Sequence, residues 1–139
     1  MANSTLFRSS IVMTVAHAFS ILLSRGNNPV LIWVYGVGCL TSLLNHGFHK
    51  QNFGHLELLR TVDRLWMVLG TLVDVHTITH LHTFQERAAC VCAVTIYAAF
   101  FALAKVLVSS GGKESMSSNL PHLATHLCAT CLHVWLLIA

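Results

Sequence analysis

Apolar residues gather into five long runs, at roughly 9–24, 29–47, 58–81, 88–109 and 120–138, separated by short polar segments. Each run approaches the ~20 residues that an α-helix needs to cross a ~30 Å hydrocarbon core. Between them, SRGNNP (24–29) brings together Gly, Asn and Pro, all poor helix formers, and HKQNFGHLE (49–57) is polar with a Gly. HTFQER (82–87) reads as a brief polar turn. SSGGKESMSSNLP (109–121) is Gly/Ser-rich, and its Pro121 suits the first turn of the last helix. The pattern predicts an all-α, polytopic transmembrane helical bundle of about five helices, one domain over residues 1–139. The first run is the weakest. Its mildly basic start, short apolar core and Ala16-His17-Ala18 also fit a signal peptide, which would leave four helices. The apolar stretch resumes past that cleavage position, which favours a retained first helix.

Composition agrees with the pattern. Of 139 residues, 55% are hydrophobic and only 9% charged, against about a quarter charged in a typical soluble domain. A soluble chain of this length has no interior large enough for so much apolar surface. Cys39, Cys90, Cys92, Cys128 and Cys131 all fall inside predicted spans, so they read as packing residues rather than a disulfide framework. The net charge of +3 reads as orientation. With five spans, Arg8, Lys50, Arg60, Arg64, Lys105 and Lys113 fall on the side of the N-terminus, and Arg25 and Arg87 on the other. Lys and Arg are enriched in cytoplasmic loops, so the N-terminal side is expected to be cytoplasmic. No basic stripe interleaved with aromatics points to nucleic acid.

Ionisable side chains inside membrane spans are costly and mark function by default. The candidates here, with the polar Ser42 beside His46, are His17, His46, Asp63, Asp74, His76 with His80, and His122, His126 and His133. Sequence order sorts them by depth. Ser42 and His46 end the second helix, Asp63 begins the third, and His122 and His126 begin the fifth, so all lie near the N-terminal side. His76 and His80 lie at the far end of the third helix, about 20 Å along the axis from Asp63, and cannot join that group. His49 falls in the loop.

Residues i and i+4 share a helical face, so His122 and His126 can present two imidazoles to one ion. A third from His46 gives three histidines and one open position, the arrangement of catalytic zinc. Ser42 is then placed to hydrogen-bond the water or a developing oxyanion, and Asp63 to act on that water as general base. Plainer readings exist for each residue alone. A membrane histidine or serine usually bonds another helix, and Asp63 beside Arg64 fits an interfacial ion pair. Asp63, Met67, Gly70 and Asp74 form one stripe expected to face the bundle, with Gly70 allowing close helix approach. His133 shares the face of His126, and with His17 and Asp74 it either lines a polar cavity or simply joins a hydrogen-bonded cluster.

Ser42-x3-His46 ending one helix, Asp63 in TVDRLW opening the next, and His122-x3-His126 on the last resemble the CREST superfamily of membrane hydrolases. That group contains alkaline ceramidases, the progestin/adiponectin receptor family and Per1-like lipases. The resemblance implies a zinc ion held by His46, His122 and His126, with Ser42 and Asp63 positioning a hydrolytic water that cleaves a lipid amide or ester. It rests on three short motifs in the family's order. Family members usually have seven helices, so two appear absent between Asp63 and the final pair, which implies that a partner or second copy completes the cavity wall. The implied partners are the lipid bilayer and a lipid substrate. Three other readings stay open: a metal or proton transporter using histidine layers near both faces, a bis-histidine haem carrier, and a receptor or scaffold.

Overall fold

The five runs fold into five helices. The computed structural model describes residues 4–24, 28–47, 56–111 and 116–138; the loops containing Arg25, His49, Lys50 and Lys113 lie outside the described residues. The helices are α1 (Ser4–Leu23), α2 (Pro29–Gly47), α3 (Leu56–Thr79), α4 (Phe84–Gly111) and α5 (Met116–Ile138), with no strand among the described residues. The expected all-α bundle is what forms.

Several boundaries differ from the expectation, among them the start of α1, at Ser4 rather than 9, and three of them show a local feature. The segment 82–87 is not all turn. The Thr83 hydroxyl accepts the Glu86 N–H at 3.1 Å, and the Glu86 carboxylate accepts the Thr83 N–H at 3.1 Å. This reciprocal capping box starts α4 at Phe84 rather than near residue 88. At its other end, α3 stops at Thr79 rather than 81, closed by tight bonds from the His80 N–H to the Thr77 carbonyl and from Leu81 to Ile78. Pro121 does not open α5: that helix begins at Met116 and carries Pro121 inside it. A proline there leaves the carbonyl one turn earlier without its helical N–H partner.

Each helix packs against its two neighbours in a closed ring. α1 packs on α2, α2 on α3, α3 on α4 and α4 on α5, while α1 and α5 meet to close it. The α3–α4 seam is the thinnest of these, and across the ring α2 and α5 touch only slightly. Close approach of α2 and α3 occurs at Gly38 rather than at Gly70. A Cβ on Gly38 would lie 3.1 Å from Trp66 Cδ1, whereas one on Gly70 would meet only Val34, at 4.0 Å. The Trp66 indole N–H donates to the Val34 carbonyl at 2.6 Å, which holds the ring over Gly38.

Polarity is inverted relative to a soluble bundle. Val15, Phe19, Trp33, Leu65, Leu72, Val106 and Leu127 point outward, while Ser10, His17, Ser42, Asp63, Asp74, Thr125 and His126 are buried. Lipid tails accept the apolar exterior, and the polar groups satisfy one another inside. Four helices are long and apolar enough to cross a membrane: α1, α2, α4 and α5. The expected fifth span, α3, falls outside that set. It is 24 residues long but carries Glu57, Arg60, Asp63, Arg64 and Asp74. Asp63 and Asp74 face inward, and Leu65, Val68 and Leu72 make its outward face apolar.

Candidate metal centre

The last turn of α2 and the first turns of α5 place three imidazoles together. Nitrogen atoms of His46, His122 and His126 all lie within 4.8 Å of one another. The ring centroids are 5.3 Å apart for His46 and His122, 5.5 Å for His46 and His126, and 5.0 Å for His122 and His126. Nitrogens held ~2.0–2.1 Å from one ion lie at most ~4.2 Å apart, so a small inward turn of the rings suffices. The Nε2 atom of His46 is buried and meets no hydrogen-bonding atom of the described residues, while the residue takes part in other interactions. Three imidazoles without a carboxylate among them form a donor set that zinc accepts. Phe101 of α4 stands edge-on to His122 at 6.2 Å, and the Lys105 ammonium lies 4.8 Å from the Phe101 ring centre.

The neighbours of the triad fix its chemistry. Ser9 Oγ of α1 lies 2.8 Å from the Leu6 carbonyl and 2.9 Å from His126 Nδ1, so it holds the His126 ring against α1. With Nδ1 engaged by Ser9, Nε2 is the nitrogen of His126 free to face an ion. Ser10 Oγ lies 3.0 Å from the Leu6 carbonyl and 2.9 Å from Ser42 Oγ, and either hydroxyl can donate between the two serines. Ser42 is thus tied to α1 while lining the cavity.

Asp63 is buried while Arg64 beside it is exposed, so the two do not form the interfacial ion pair. The Asn45 amide donates to Asp63 Oδ2 at 2.6 Å, and the Thr41 hydroxyl lies 3.3 Å from Oδ1. Asn45 and Thr41 are four residues apart on one face of α2, and together they hold the carboxylate against that helix. Ser9, Ser10, Thr41 and Asn45 were not singled out as site residues from sequence. For the two α2 residues the signal was present: the i, i+4 spacing and the depth match those of Ser42 and His46.

A cavity of about 90 Å³, partly open to the outside, runs along the ring interior. Ser42, Asp63 and His126 line one stretch of it, and His17, Tyr35 and His133 another. The stripe Asp63, Met67 and Gly70 faces it as expected. Asp74, at the end of that stripe, hydrogen-bonds His133, which in turn bonds His17. His76 and His80 stay apart. They are exposed, with ring centroids 4.6 Å from each other, and His80 Nδ1 is 2.8 Å from the His76 carbonyl. All five cysteines are free thiols. Compared with protein-family models, curated proteins and solved structures, the chain matches none.

Proposed function

We propose that this chain is a zinc-dependent membrane hydrolase of the CREST type, cleaving an amide or ester bond of a lipid. One observation carries the reading: His46 of α2 converges with the distant pair His122 and His126 of α5, and the buried Asp63 lines the same cavity as His126. Zinc at such a site lowers the pKa of water towards ~7 and so supplies a nucleophile at neutral pH. The protein's own groups do the rest. Asp63, held by Asn45, accepts a proton from water in the cavity; Ser42 hydrogen-bonds the same water or the developing oxyanion; Ser9 engages Nδ1 of His126 and so leaves Nε2 to face the ion. The largely apolar cavity within an apolar exterior suits an acyl chain better than a soluble substrate. In this reading the site lies towards the cytoplasmic face, where the Lys and Arg excess puts the N-terminus.

Metal analysis of purified protein tests the first half. About one zinc per chain is expected, lost in His122→Ala; metal-free wild-type protein that is nonetheless folded overturns it. Asp63→Asn tests the second half. It is expected to keep the metal and lose lipid hydrolysis by about 10²- to 10⁴-fold, the usual contribution of a general base.

A metal or proton carrier is the second reading, favoured by the cavity that extends from His126 to His17 and His133. Such a carrier uses His76 and His80 as its far station. Zinc uptake by proteoliposomes that disappears in His76→Ala would select it over hydrolysis.

A further inference from the structure

One carboxylate joins all five helices. Asp74 of α3 is fully buried. Its Oδ1 accepts from the Tyr35 hydroxyl of α2 at 2.6 Å, and its Oδ2 lies 3.0 Å from the Tyr97 hydroxyl of α4. Oδ2 also stands 3.1 Å from His133 Nε2 of α5. His133 Nδ1 is 3.0 Å from His17 Nε2 of α1, and His17 Nδ1 is 2.8 Å from the Met13 carbonyl. Tyr35 stacks on the His133 ring with centroids 3.9 Å apart. The Cys90 thiol of α4 is a further titratable group within electrostatic range of Asp74.

The row from the Met13 carbonyl to Asp74 contains three hydrogen bonds, and each needs one proton. The Met13 carbonyl only accepts, so His17 Nδ1 must carry a hydrogen. The contact between the two imidazoles needs a second proton, and the contact between His133 and Asp74 a third. Two neutral histidines and an ionised aspartate bring only two. With two protons, one contact faces lone pair against lone pair, and a net negative charge is left in an apolar interior, which is costly. With three, every contact is made and the group is neutral as a whole. The third proton sits on Asp74, on His133 or on His17 according to microstate, so it belongs to the group.

We infer that Asp74, His133 and His17 form a second chemical site, a proton store that holds one shared proton and exchanges it with the cavity that also reaches His126. His17 and His133 both line that cavity, so water or a polar ligand there can reach the row. Loss of the proton exposes a buried negative charge, so release is favoured when a cation or a newly formed base occupies the cavity. This holds whether or not a metal sits at the triad.

Solid-state NMR of the full chain in lipid nanodiscs, labelled at histidine nitrogens and aspartate carboxyl carbons, counts the protons directly near neutral pH. Three protons are expected in the row, seen as a protonated carboxyl or as one doubly protonated imidazole. His133→Gln assigns the signal by abolishing it, and His17→Asn serves the same purpose from the other end if the first variant does not fold. Two singly protonated imidazoles beside an ionised carboxylate would overturn the count. Exchange into D2O tests the link to the cavity: replacement within seconds is expected, and protection for hours sinks that part. The same spectra in His122→Ala are expected to be unchanged, so this site stands or falls apart from the metal reading.

Discussion

Which nitrogen a histidine offers to an ion depends on what holds the other one. His126 is held at Nδ1 by the Ser9 hydroxyl, 2.9 Å away. Ser9→Ala is therefore expected to weaken zinc binding by about 10- to 100-fold, the usual effect of losing an outer partner of a ligand, with Ser9→Thr close to wild type. Competition against a chelator of known affinity measures it, and an unchanged affinity in Ser9→Ala removes Ser9 from the site. Residues of this kind were not legible in the sequence. His46, His122 and His126 are readable because histidine is rare in spans, and two helix ends plus one i, i+4 pair fix their depth. Ser9 stands among Ser4, Thr5, Ser9 and Ser10 on an apolar helix, where a hydroxyl commonly bonds the preceding turn. Its reach to α5 depends on how α1 and α5 pack, and no spacing encodes that. Asn45 was visible beside His46 but unassigned, because its partner Asp63 lies on another helix.

Element by element, the five apolar runs translate directly into five helices, since hydrophobic length is a strong signal. Their ends are weaker signals, set by single contacts such as the Thr83–Glu86 capping box. The glycines show the limit best. Gly70 shares a face with Asp63 and Asp74 and reads as the site of close approach, yet only open cavity and Val34 lie near it. Gly38 carries the tight contact because Trp66 crosses from α3 onto α2 and donates to the Val34 carbonyl. Gly38→Leu is expected to cost about 1–3 kcal/mol through overpacking, while Gly70→Ala costs well under that. Thermal unfolding of both variants in one detergent gives the ranking, and equal losses would contradict the packing.

At the scale of the molecule, the ring closes through α1 and α5 within a single chain, and α2 and α5, which are not neighbours in it, touch only slightly. Those are the helices that supply the three histidines, His46 from α2 and His122 and His126 from α5. An ion bound by all three would link two helices that are not neighbours in the ring and that touch only slightly. It binds the folded bundle far better than separated helices, so mass action makes it a stabiliser: about 2.7 kcal/mol at a free concentration 100 times its dissociation constant. Zinc added to metal-stripped protein is therefore expected to raise the unfolding temperature, and chelator to reverse the rise. His46→Ala is the informative variant, because it leaves the α5 pair intact and removes only the cross-ring ligand. It should lose most of the zinc-dependent shift; a shift as large as in wild type would mean that the ion bridges nothing and that the α5 pair binds it alone.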